Sequence, residues 1–187
     1  MLKSEIRKLA LAQRSALSEA QLLSLNEKLL AQFKKLDFSA IKSIHLFLPI
    51  IQKKEPDTFL FIDWLQHAHP FIKIVVPKAD FQSGEMSHYA YFHQDDLVHN
   101  AYHIPEPQHA EPFVGEIDLV IVPLLAFDEK GYRVGYGKGF YDRFLQNSNA
   151  QKIGLSFFGA ISSINDVHLN DIRLDQCITP DGIVDFR

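Results

Sequence analysis

Between Gly131 and Asp142 the chain reads GYRVGYGKGFYD, a stretch that gathers glycines, two cations and a carboxylate within twelve positions. Gly135, Gly137 and Gly139 alternate with Tyr136 and Lys138. Glycine lacks a Cβ, so the backbone can approach a ligand and adopt positive φ. Successive N–H groups then form a concave donor surface for anionic oxygens. A helix beginning near Phe140 would add its positive dipole end. Arg133 brings a planar fork and Lys138 a point charge. Asp142 suits a divalent cation that bridges phosphate oxygens. These residue types together are fitted to gripping the phosphates of a nucleotide. The order is not that of a Walker A loop, because Lys138 is followed by Gly139 rather than Ser or Thr. Nor is it the dinucleotide fingerprint, whose glycines follow the first strand directly. A flexible turn with solvated charges is the competing reading of the glycine spacing alone.

Such a loop needs a scaffold, and the hydrophobic pattern supplies one. Residues 2–14 read as a helix with Leu2, Ile6 and Leu9 on one face and Lys3, Arg7 and Arg14 on another. Ser18 to Gln21 is a capping-box start, followed by a stripe of Leu22, Leu25, Leu29, Phe33 and Leu36. The period then shortens. Ser43–Leu48 ends at Pro49, Ile72–Val76 stops at Pro77, and Ile117–Val122 stops at Pro123; all three read as buried strands. Asp57 can cap a helix carrying Phe59, Ile62 and Leu65, and a further helix covers about Phe140 to Leu145. Met86–Phe92, Lys152–Phe157, Cys177–Thr179 and Ile183–Phe186 complete the strand candidates. Alternating helices and doubly apolar strands predict an α/β fold, a three-layer αβα sandwich with a mainly parallel central sheet. Ligands of such sheets bind outside the carboxyl ends of the strands. The glycine segment lies just past the end of the strand at 117–122.

The chain has 187 residues, which fits a single domain over 1–187, and 47% of them are hydrophobic. No apolar run reaches the roughly 18 residues that would span a membrane. The formal charge of −4 excludes broad nucleic-acid binding. The lone Cys177 excludes an internal disulfide framework and a cysteine-cluster metal site, which makes a reducing cytoplasm the expected setting. The histidine pairs His67/His69 and His99/His103 read as solvated loop residues, since no carboxylate pattern completes a zinc site. Cys177 and Trp64 read as core residues.

Val122 to Leu145, VPLLAFDEKGYRVGYGKGFYDRFL, closely resembles the signature of the 5-formyltetrahydrofolate cyclo-ligases. That pattern runs P-x-x-A-F-D, then G-x-R-L-G-x-G-x-G-Y-Y-D. Three other stretches agree in order and spacing. KSEIR at 3–7 matches an amino-terminal K-x-x-x-R, Glu55 with Asp57 and Thr58 matches E-x-D-T, and IPEP at 104–107 matches I-x-E-P. Val134 replaces the usual Leu, and Phe140 replaces the first Tyr of the pattern, removing a hydroxyl.

The resemblance implies ATP-dependent closure of 5-formyltetrahydrofolate to 5,10-methenyltetrahydrofolate, with magnesium required and with ATP phosphorylating the formyl oxygen. It implies that ATP is held by Lys3, Ser4, Glu5, Ile6 and Arg7 together with Arg133, Val134, Gly135, Tyr136, Gly137, Lys138, Gly139, Phe140 and Tyr141. It assigns Lys138 and Arg133 to catalysis. Ile50 and Glu55 would contact the folate, as would Tyr136, Gly137, Lys138, Gly139 and Phe140. Asp142 and Asp175 would bind magnesium, while Arg14 stays a solvated helix residue. Folate and ATP are then the only partners expected, with no nucleic acid, membrane or obligate protein partner. A sugar-phosphate isomerase on a similar sheet and a non-catalytic nucleotide-binding module are the alternatives. A folate-facing Glu55 speaks against the second.

Overall fold

In the computed structural model of the protein, which describes residues 1–108 and 111–187, fifteen α-helices and β-strands follow one another, with short 3-10 turns at Ile51–Lys53 and Gln94–Asp96. They are α1 (Lys3–Ser15), α2 (Glu19–Phe33), β1 (Ser43–Leu46), α3 (Phe59–Ala68), β2 (Lys73–Ala79), β3 (Met86–Ala90), β4 (Leu97–His99) and β5 (Pro105–Pro107). Then come β6 (Leu119–Pro123), β7 (Ala126–Phe127), β8 (Arg133–Val134), α4 (Phe140–Leu145), β9 (Gln151–Leu155), β10 (Gln176–Thr179) and β11 (Gly182–Asp185). Seven strands form one sheet in the order β11-β10-β9-β6-β1-β2-β3. Every pairing from β10 to β2 is parallel, and only the edge strands β3 and β11 run antiparallel.

The predicted doubly apolar strands account for the layering. Along β6, Leu119 and Ile121 join a core with Leu29, Phe33, Phe61 and Leu65 of α2 and α3. Val120 and Val122 join a second core with Leu145 of α4, Ala150 and Cys177. Helices thus cover both faces, as the sequence predicts. Cys177 is buried and its thiol is pushed well up by desolvation, so it is inert packing. Trp64 is partly buried, edge-on to Phe33.

Local sequence explains several boundaries. The Ser18/Gln21 capping box starts α2 in both directions, with Gln21 N–H on Ser18 Oγ and Ser18 N–H on Gln21 Oε1. Asp57 Oδ1 accepts the Phe59 N–H at the head of α3. Strand β2 does not stop at Pro77. Its pairing with β1 has ended by then, and Pro77 faces His88 of the edge strand β3, where the missing N–H breaks no parallel ladder.

Helix α1 corrects the predicted face. Leu2 and Leu9 are 47% and 58% exposed, whereas Ile6, Ala10 and Arg14 form the buried stripe. The histidine pairs His67/His69 and His99/His103 lie apart from any metal-ligating cluster, and the described residues hold no group of three or more His, Cys, Asp or Glu placed for a metal. His45, in mid-sheet, is a different case. It is fully buried beside His88 and Phe144, and desolvation holds it neutral, well below its ordinary range. No helix among the described residues is long and apolar enough to cross a membrane.

Candidate active site

The carboxyl ends of β1, β2 and β6 open into a cleft of about 730 Å³, within the usual size of a small-molecule site. Residues beyond the end of β6 build much of its wall. The chain leaves Pro123, pairs β7 with β8 in a short hairpin, and enters the glycine segment. Asp128 makes that hairpin turn. Its buried Oδ1 accepts the N–H groups of Lys130 and Tyr132, and Oδ2 accepts that of Ile164. Gly131 adopts φ +84°, and a Cβ there would stand 2.9 Å from the Phe186 ring. The Asp and Gly of the motif are therefore turn chemistry that aims the loop.

Gly137 and Gly139 adopt φ +88° and +68°, the left-handed region that disfavours other residues. Each is also tightly packed. A Cβ on Gly137 would sit 3.2 Å from the Arg7 guanidinium, and one on Gly139 2.9 Å from that of Arg143. Arg7 Nε donates to the Gly135 carbonyl at 2.9 Å. Arg143 donates to the carbonyls of Lys138 and Gly84, tying the loop to the β2–β3 hairpin. The Lys138 side chain lines the cleft, is exposed, and makes no ion pair among the described residues.

Arg133 is buried, and its Nη2 donates to Asp142 Oδ1 at 2.8 Å while its Nη1 donates to the Ile172 carbonyl. Desolvation lowers the guanidinium's pKa, and the Asp142 and Asp171 carboxylates oppose that shift. Both hydrogen bonds to Asp142 fall on Oδ1, the second coming from the Ile172 N–H.

Lys3, at the start of α1, forms an ion pair with Asp171 at the cleft. Burial alone would push the Asp171 carboxyl up. The His168 N–H and the Lys3 ammonium prevail and hold it below the usual range. Ser4, Glu5 and Ile6 do not line the cleft. Ser4 is exposed, Glu5 accepts the Leu2 N–H to cap α1, and Ile6 packs under the loop against Val134. Val134 itself is buried at the cleft wall.

On the other side, Ile50 and Glu55 follow β1. Glu55 is 7% exposed. Its Oε2 accepts the Ile50 N–H at 2.7 Å and its Oε1 accepts the Tyr136 hydroxyl at 2.6 Å. Burial raises its pKa, partly opposed by Tyr136, the Ile50 N–H, Arg14 and Lys53. The Lys53 ammonium lies 4.2 Å above the Tyr136 ring. Phe140, Tyr141, Phe81, Tyr102 and Glu106 complete the lining, Glu106 held by Asn100 Nδ2 at 2.7 Å.

Two expected assignments change. Asp175 is not at the cleft. It precedes β10 at the amino end of the sheet, opposite the cleft, where its carboxylate accepts the Lys152 N–H at 2.7 Å. Asp171, four residues earlier, is the carboxylate that reaches the site. Arg14 is not solvated but 2% exposed, donating to the Leu124 carbonyl at 2.7 Å and to the Tyr136 hydroxyl at 3.1 Å. The i, i+4 stripe of Ile6, Ala10 and Arg14 is the signal that finds it; nothing local to Asp171 separates it from Asp175.

A family model described as the 5-formyltetrahydrofolate cyclo-ligase family matches residues 1–180. The chain resembles the solved structure of 5,10-methenyltetrahydrofolate synthetase from Aquifex aeolicus, with a TM-score of 0.83 and 34% identity over 100% of this chain and 94% of that one. It is 30% identical over 176 residues to the mitochondrial 5-formyltetrahydrofolate cyclo-ligase of Arabidopsis thaliana, covering 79% of this chain and 62% of that protein's length. It is 32% identical over 126 residues to the 5-formyltetrahydrofolate cyclo-ligase of Escherichia coli K12, covering 64% of this chain and 68% of the relative.

Proposed function

The chain belongs to the 5-formyltetrahydrofolate cyclo-ligase family, ATP-dependent ligases that yield 5,10-methenyltetrahydrofolate, and we propose that it performs this cyclisation in the cleft at the carboxyl ends of its strands. The observation that carries the reading is one loop that faces both halves of the site. Gly135–Gly139 touches the α1 cations through Arg7 and the Glu55 carboxylate through Tyr136. A loop so placed can bring a γ-phosphate to a formyl group.

The chemistry needs no protein nucleophile. The formyl oxygen attacks the γ-phosphorus and ADP leaves. N10 then attacks the formyl carbon, the carbon–oxygen bond breaks, phosphate departs with the formyl oxygen, and N10 gives up its proton. The protein must align two ligands and neutralise charge on the transferred group. The amides of Gly135 to Gly139, with Lys3, Arg7 and Lys138, supply donors and cations for the triphosphate. Lys138 faces the transferring group. Arg133, which lines the cleft, fixes Asp142 through Nη2 and leaves further N–H donors for the triphosphate. Ile50 and Glu55 hold the folate, with Phe140 and Tyr136 beside it.

Magnesium fits this site. Asp142 keeps Oδ2 clear of its hydrogen bonds, and Asp171 lines the same cleft. Magnesium takes one or two carboxylates plus phosphate oxygens rather than a full protein cage. Bound there, it would shield charge on the β- and γ-phosphates. The whole chain acts as one cyclo-ligase domain, and a cytoplasmic setting suits its single unpaired thiol. The Arabidopsis relative carries a mitochondrial designation.

The purified protein with 5-formyltetrahydrofolate and Mg-ATP should give a near-ultraviolet absorbance rise from methenyltetrahydrofolate, with one ADP per product. No ATP-dependent rise would sink the reading and leave the isomerase or binding-module alternatives.

A further inference from the structure

Arg14 is buried on the same helix that carries Lys3 and Arg7, yet it does not line the cleft. Its guanidinium anchors on the Leu124 carbonyl just past β6 and reaches the Tyr136 hydroxyl, which in turn donates to Glu55 Oε1 at 2.6 Å. This chain of hydrogen bonds joins segments 122 and 81 residues apart in sequence. Tyr136 fills a position where the motif G-x-G-x-G prescribes no side chain, so the relay is a property of this chain's own residues. Of the side chains between Gly135 and Gly139, Tyr136 is the one that bonds the folate-side carboxylate.

We propose that Arg14 is a positioning residue that acts through Tyr136 to hold the Glu55 side chain oriented, and that the relay couples the glycine loop to the folate subsite. The inference rests on the cyclo-ligase reading. Charge-assisted hydrogen bonds are stronger than neutral ones, and low local dielectric strengthens a chain of them. Arg14 of α1, Lys53 and the Ile50 N–H of the turn after β1, and Tyr136 of the loop act on Glu55. Burial and the Glu55 carboxylate in turn push up the Tyr141 hydroxyl of α4. Of the groups acting on Glu55, only Arg14 and Lys53 are cations, and the Lys53 ammonium lies over the Tyr136 ring without an ion pair to Glu55. Removing Arg14 therefore takes away one of two charges that favour the carboxylate form.

The test compares wild type, R14K, R14M, Y136F and R14M/Y136F by steady-state kinetics with both substrates across pH. For R14M the folate KM should rise about tenfold, the scale of one hydrogen bond to a charged group. Its ATP KM should move less than about twofold. The acid limb of kcat/KM for folate should shift to higher pH, because Glu55 protonates more readily without the cation. R14K should recover most of both effects. Y136F should reproduce the folate defect, and R14M/Y136F should be no worse than the more impaired single variant, since both break one relay. Equal losses toward ATP and folate, an unmoved acid limb, or additive variants would overturn the proposal. Should R14M fail to fold, Y136F still decides the matter: an unchanged folate KM and an unmoved acid limb would overturn the relay. An inactive wild type would instead reject the cyclo-ligase reading.

Discussion

The two ends of the central sheet both carry carboxylates, and they are used in opposite ways. At the amino end, Asp118 Oδ2 accepts the N–H groups of Lys42 and Ser43 and the Ser43 hydroxyl, stitching β6 to β1. Asp175 does the same for β9 and β10 through the Lys152 N–H. At the carboxyl end, Asp142, Asp171 and Glu55 face a cleft together with Lys3, Lys53 and Lys138. Carboxylates at the amino end close ladders; Asp142, Asp171 and Glu55 at the carboxyl end line a cleft. The number of carboxylates in a motif says nothing about which of the two an aspartate does. Whether its carboxylate lines the cleft decides: Asp128, also past the carboxyl end of β6, is spent on its hairpin turn.

The largest break in that contrast comes from the loop cation. Lys138→Ala should lower kcat by about 100- to 1000-fold, the scale of one lost transition-state donor. Unchanged turnover would make Lys138 a solvated loop residue. Next come the two aspartates four residues apart. Asp171→Asn should raise the magnesium concentration needed for half-maximal rate about tenfold or more, by analogy with weakened metal shells. Asp175→Asn should leave that requirement in place and lower thermal stability instead. The reverse pattern in a magnesium titration would restore Asp175 as the ligand.

The smallest effect separates the ends by pH. Burial would push the Asp118 carboxyl up, but the Lys42 and Ser43 donors hold it below the usual range. A depressed carboxyl stabilises the fold above its unfolded value near 3.9 and loses that contribution as pH falls. Glu55 is raised, so its ionisation weighs against the fold as pH rises past about 4.3. At pH 7, Asp118→Asn should therefore destabilise by about 1 kcal/mol and Glu55→Gln should stabilise. Both differences should fade near pH 3. Denaturant melts at the two pH values check the signs, and equal signs at pH 7 would contradict the contrast.

Much of this was legible in the residues. The doubly apolar runs ending in proline specify a parallel sheet, and the helix at Phe140–Leu145 is bounded by Gly139 before it. The glycine loop is legible because positive φ and close approach leave only glycine at 137 and 139. What escapes is three-dimensional. Arg14 looks like a surface cation because Arg7 and Lys3 share its chemistry, and only its register with Ile6 and Ala10 turns it inward. Asp171 and Asp175 differ by where the chain crosses from one end of the sheet to the other, which no local pattern encodes. Arg133 lines the cleft, and its hydrogen bonds to Asp142 and the Ile172 carbonyl are contacts that no local pattern announces.

The central claim is that the cleft phosphorylates the formyl oxygen and expels it with phosphate. It is tested most directly by turning over 5-formyltetrahydrofolate labelled with oxygen-18 in the formyl group, with unlabelled Mg-ATP, and weighing the products. Inorganic phosphate carrying one heavy oxygen per methenyltetrahydrofolate formed is the predicted result. Unlabelled phosphate, with the heavy oxygen released to water, would contradict the account.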